Sequence, residues 1–165
     1  MPEIATMTTS KLMAILTGSE GVPAAVTALS QARNLSLPVV SSEQIIAQNV
    51  SPELSERSTV SSYPLVYVYC SKVVNQLREK FRTFSGDAEM VIETRISQDR
   101  LEEMQTNLQR YIDAVTQVLN DNRGDLGDGV FYAGGYDITF GAVKHGGRNF
   151  LQVAKLSLVA QISTD

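Results

Sequence analysis

The sequence predicts an α+β fold: a mainly antiparallel sheet of three to four strands, one long helix packed on a face, and short N-terminal helices. Three observations carry that expectation. Residues 63–70 (YPLVYVYC) are rich in β-branched and aromatic side chains, the composition of a strand. Residues 100–120 repeat apolar side chains at three- and four-residue steps, the period of a helix with one buried stripe. The order strand, strand, helix, strand, strand favours an antiparallel layer over a doubly wound parallel sheet.

In chain order, residues 11–17 (KLMAILT) predict a short helix ending at Gly18, and a second runs from Pro23 to about Arg33. Leu37 precedes Pro38 and so avoids the helical region, which makes 37–40 extended. Ser42 is placed to cap a brief helix over 43–48. Residues 49–62 (NVSPELSERSTVSS) are polar and lack a period, so a flexible loop is expected. This divides the chain into helices and loop over 1–62 and an α+β core over 63–165, together one domain.

The strand at 63–70 tolerates Pro64 near its start, and its near-continuous apolar character predicts cover on both faces. Residues 73–80 (VVNQLREK) fit either one or two helical turns or part of a ribbon. Over 88–96, Met90, Ile92, Thr94 and Ile96 alternate with Glu89, Val91, Glu93 and Arg95, the pattern of one inner and one wetter face. Asp99 and Glu102 then have capping-box form. Leu101, Met104, Leu108, Tyr111, Ile112, Val115, Val118 and Leu119 supply the stripe of a helix roughly 31 Å long. The glycine and aspartate run through Gly129 ends it in a loop. Residues 131–141 resume an extended pattern with Tyr136, Ile138 and Phe140 on one side, and 144–149 (KHGGRN) predict a turn. The last strand, 150–163, is expected to break or bulge near Ala154 or Lys155, where its alternation slips.

Composition narrows the function. The chain has 165 residues, 43% hydrophobic and 19% charged, which is globular. With 14 basic against 18 acidic residues and a net charge of −4, it lacks the basic footprint of a protein that grips phosphates. A channel through which DNA merely passes is compatible with that sign. No membrane-spanning run or secretory signal is expected, and Cys70, the single cysteine, reads as a buried spectator.

No residues assemble into a recognisable reaction centre, so no cofactor and no enzymatic role are expected. His145 sits in a turn without a nucleophile placed by motif. Gly124, Gly127 and Gly129 lack the Gly-Lys-Ser/Thr ending of a phosphate loop; a flexible loop is expected, the alternative being a calcium site through Asp121, Asp125 and Asp128. Carboxylates between Glu79 and Glu103 interleave with arginines and lysines, as on a solvated or interface surface. Glu79, Arg82, Glu93 and Arg95 are therefore candidate intersubunit contacts. Tyr132 and Tyr136 are either partner contacts or rings closing the edge of the core. Phe81 and Phe84 with Lys80 and Arg82 make a weak nucleic-acid motif.

The order of these elements, from YPLVYVYC through AEMVIETRI, the helix, GYDITFG (135–141), the KHGGRNF turn and the last strand, resembles the tail-terminator and tail-completion proteins of tailed bacteriophages. The resemblance covers about the last hundred residues. It implies a structural virion protein without an active site, forming a homo-oligomeric, commonly hexameric, ring at the head–tail junction, assembled in the host cytoplasm. Its implied partners are the tail tube or sheath protein and neck or connector proteins, with DNA passing through the lumen. A connector adaptor or stopper, or a non-viral protein-binding module, are the alternatives.

Overall fold

A computed structural model describes residues 3–52, 63–146 and 148–165. In chain order the elements are α1 (Ile4–Thr17), α2 (Val22–Arg33), a 3-10 turn (Ser42–Gln44), β1 (Ile45–Ile46), β2 (Leu65–Asn75) and β3 (Phe84–Gln98). Then follow α3 (Met104–Asp121), β4 (Gly124–Gly127), β5 (Val130–Tyr132), β6 (Tyr136–Phe140), β7 (Lys144–Gly146) and β8 (Asn149–Thr164).

The expected three- to four-stranded sheet is corrected. Among the described residues the strands form one curled, mixed sheet of eight, ordered β1-β2-β3-β8-β5-β4, with β6 and β7 also pairing with β8. The β1–β2 pairing is parallel. Its backbone is the ladder between β3 and β8, in register without interruption from Phe84↔Thr164 to Gln98↔Phe150. The other edge of β8 is shared in succession by β5, β6 and β7. No register shift interrupts β8 at Ala154 or Lys155. The irregularities fall instead in β2, between Cys70 and Lys72, and in β4, between Asp125 and Gly127.

One long helix on a face is corrected as well, because α1 and α2 share the helical layer with α3. α3 packs against α2 and also against β3 and β8, while α1 lies over β2. Leu12, Leu16, Val22 and Val26 join Leu108, Ile112, Val115, Val66, Met90, Ile92 and Leu156 in one buried core. Each such side chain contributes about 1.5–3 kcal/mol when fully withdrawn from water. By length and composition, 4–33 is apolar enough to cross a membrane, contrary to expectation. It is interrupted between α1 and α2, and its Leu12, Leu16, Val22 and Val26 are covered by the rest of the protein.

Other boundaries also move. α1 begins at Ile4 rather than near Lys11, its early threonines bonding back to carbonyls one turn behind (Thr8 to Ile4 and Thr9 to Ala5, both 2.7 Å). Ser41 rather than Ser42 caps the short turn, which leads into β1 instead of a helix to 48. α3 starts at Met104 because Glu103 takes a left-handed conformation, with φ of 60°, and makes no side-chain cap. Asp99 and Glu102 therefore form no capping box, and Leu101 is exposed. The glycine–aspartate run is a β4–β5 hairpin rather than a loop. Of the expected loop at 49–62, residues 53–62 lie outside the described residues, as does Gly147 in the KHGGRN turn.

Candidate functional site

Two features stand on the parts of the sheet that the helices leave uncovered. The first is a buried ion cluster. Cross-strand pairing sets Tyr67, Glu93 and Lys155 side by side, and Leu65, Arg95 and Val153 next to them. These side chains share the face opposite Met90, Ile92 and Leu156, since neighbours along a strand alternate. Arg95 Nε donates to Glu93 Oε2 at 2.5 Å, and its Nη2 donates to the Val50 carbonyl. The guanidinium lies 4.1 Å from the centre of the Tyr67 ring, a cation–π contact. Glu93 Oε1 receives the Tyr69 hydroxyl at 3.5 Å and faces Lys155 Nζ at 3.6 Å.

The side chains of Arg95 and Glu93 are only 1% and 5% exposed. The face expected to be wetter is dry here because the chain around Val50 crosses it and takes a hydrogen bond from Arg95. Burial pushes the Tyr69 phenol up, and the Glu93 carboxylate adds to the effect. Chemically this is an ion cluster that fastens a crossing segment to the sheet. Beside it lies a cleft of about 380 Å³ whose rim carries Lys144, His145 and Lys155. His145 packs edge-on against Phe150, 5.8 Å between ring centres.

The second feature is the loop 76–83 joining β2 to β3. Of the stretch 73–80, residues 73–75 extend β2 as the ribbon alternative has it, while 76–80 are neither helical nor strand. Asn75 organises the loop: its Oδ1 accepts from the amides of Leu77 and Ser85, both at 3.2 Å, and its Nδ2 donates to the Thr83 carbonyl at 3.1 Å. The Glu79 amide donates to Ser85 Oγ at 2.9 Å. Arg78 grips Asp87 with two bonds of 3.4 and 3.0 Å, and Arg82 joins Glu79 at 3.5 Å to Asp165 at 2.5 Å. Ser163 Oγ closes the set on Glu79 at 2.8 Å. Within this frame Leu77 and Phe81 hold left-handed φ values of 48° and 67°, uncommon for large side chains. Phe81 is 100% exposed and Leu77 63%.

The residues singled out from sequence therefore separate. Glu79 and Arg82 pair with each other on the exposed loop. Glu93 and Arg95 pair inside the chain, so their alternating charges reflect an internal ion pair rather than a displayed surface. Tyr132 is in the core, its phenol pushed up by burial, whereas Tyr136 on β6 is 39% exposed. Asp121, Asp125 and Asp128 are not brought together. Asp121 accepts from Gln117, Asp125 from the Gly127 amide, and Asp128 pairs with Lys11 at 2.6 Å. Among the described residues no group of histidine, cysteine, aspartate or glutamate is placed to hold a metal ion. Burial raises the Cys70 thiol above its ordinary value. Leu77 was not singled out; a large apolar residue between the polar Asn75-Gln76 and the charged Arg78-Glu79-Lys80 was its signal. No family model matches the sequence, and no curated protein is significantly similar to it.

Proposed function

We propose that the chain is a structural virion protein that forms a ring at the head–tail junction of a tailed bacteriophage, terminating or completing the tail and joining it to the neck. The observation that carries this reading is the braced loop 76–83. It holds Phe81 wholly in solvent on a frame of side-chain hydrogen bonds and ion pairs. An aromatic side chain displayed this way gains most when a partner protein covers it. A sheet backed by α1, α2 and α3 supplies a rigid body on which such contacts keep their geometry. The net charge of −4 suits a lumen past which DNA slides without sticking.

Imaging of assembled particles tests the proposal. Sixfold density of this protein at the head-proximal end of the tail is the expected result. Density against the portal would assign it instead to a connector adaptor or stopper, and its absence from particles would overturn a virion role.

A further inference from the structure

Loop 76–83 has a counterpart elsewhere on the same chain. On the sheet face opposite the helices, β3, β8 and β6 enclose a cleft of about 530 Å³. Glu89 and Val159 stand opposite each other across β3 and β8, and Asp137 stands opposite Ser157 across β6 and β8. Val159 is 45% exposed, an apolar floor left in water, and Tyr136 lines one wall. Two carboxylates, Glu89 and Asp137, thus border a depression lined by Val159 and Ala133 together with Ser71, Ser157 and Gln161. Among the described residues the Glu89 side chain is engaged by Lys72 at 3.9 Å, both side chains being largely exposed.

We infer that Phe81 of one copy seats in this cleft of a second copy, with Lys80 meeting Glu89 and Asp137. This deepens the ring reading and rests on it for the number of copies, though not for the contact. Charge selects the occupant. Lys80 is exposed and, unlike Arg78 and Arg82, makes no ion pair among the described residues. Of the other clefts among the described residues, the one bordered by Lys144 and Lys155, with Glu93 already paired, disfavours Lys80; the one bordered by Asp99, Glu102 and Glu103 is lined by polar and charged residues alone; and in the third Asp121 and Asp125 are already engaged by Gln117 and the Gly127 amide. The backbone of the loop is already held, so little ordering opposes docking. Knob and cleft are different surfaces of one chain, so the contact can repeat head-to-tail, each added copy bringing one of each. Such contacts close into a ring when the rotation between copies allows.

The test uses the full chain as an equal mixture of ¹⁴N and ¹⁵N copies, treated at high concentration with a zero-length carbodiimide that couples lysine to a touching carboxylate. The expected product is a mixed-isotope peptide joining Lys80 to Asp137 or Glu89. F81A should lower its yield at least about tenfold while leaving the circular dichroism spectrum unchanged, since the Phe81 side chain is fully exposed. By sedimentation, K80E and D137K should each abolish self-association, and K80E mixed with D137K should restore association, because each loop then meets a cleft of opposite charge. Absence of the mixed-isotope peptide, or wild-type association by F81A, would overturn the inference. Sixfold density whose interfaces exclude Phe81 sinks this contact alone. The cross-link without any protein at the tail end sinks the virion reading and leaves the contact standing.

Discussion

Replacing Arg95 with methionine isolates the energetics of the buried ion cluster. Methionine keeps an unbranched apolar stem, so the change removes the charge while retaining much of the packing volume. Glu93 would keep only the Tyr69 hydroxyl at 3.5 Å and Lys155 at 3.6 Å, and the Lys155 side chain is 57% exposed. Breaking a buried pair on one side costs about 3–5 kcal/mol, and the residual help from Lys155 sets the expectation near the low end, about 3 kcal/mol. For a chain of this size each kcal/mol lowers Tm by about 2–4 °C, so R95M should melt roughly 6–12 °C below wild type. Adding E93Q removes the stranded carboxylate. The double variant should recover to within about 1–2 kcal/mol of wild type, because the Val50 carbonyl still lacks its donor. Urea unfolding followed by circular dichroism, with the slope checked for constancy, measures both. A loss below about 1 kcal/mol in R95M, or a double variant no more stable than the single, would refute the assignment of this pair as a buried, mutually dependent unit.

Tyr111 donates its hydroxyl to the Pro38 carbonyl at 2.9 Å, and Y111F should cost about 0.5–1.5 kcal/mol at neutral pH. Burial raises this phenol above its ordinary value of 10.0, so above that pH the folded chain holds a proton that the unfolded chain releases. Stability must then fall as pH rises, and Y111F should lose less of it in alkaline thermal melts. Gly129 has φ of +80°, and a Cβ there would sit 2.1 Å from the Ser163 carbonyl, beside the 3.0 Å bond from the Ser163 amide to Gly129. G129A should destabilise by more than about 1 kcal/mol, and by more than G124A, where φ is +110° but nothing lies within 4 Å. Equal melting temperatures for the two variants would contradict the steric argument.

What could be read from the sequence was local and long enough to repeat. The apolar stripe of α3 is buried from Met104 to Leu119, and only Leu101, which precedes the helix, departs from it. The alternation at 88–96 places Met90, Ile92 and Ile96 in the core, as a two-residue period requires. The strands from β4 to β7 are three to five residues each, too short to show a period; β5, β6 and β7 form on the second edge of β8, and β4 on β5. Burial of Glu93 and Arg95 depends on Tyr67 and Val50, partners far away in sequence, so the same alternation misreads them as wet. The slip in β8 near Lys155 has a related origin: Leu151 is buried on the crossed face, which blurs the contrast between in and out without any bulge. Leu77 went unmarked, and Phe81 was read only as part of a weak nucleic-acid motif, because exposure at a loop leaves no periodic trace.

The unbroken β3–β8 ladder has a mechanical consequence. Its hydrogen bonds lie across the strands, and the loop at the start of β3 sits at the end of the sheet opposite the hairpin that begins β8. A pull applied between those two ends would load every rung at once in shear, instead of peeling them one by one. A body strung that way resists tension along the strand axis far better than tension across it.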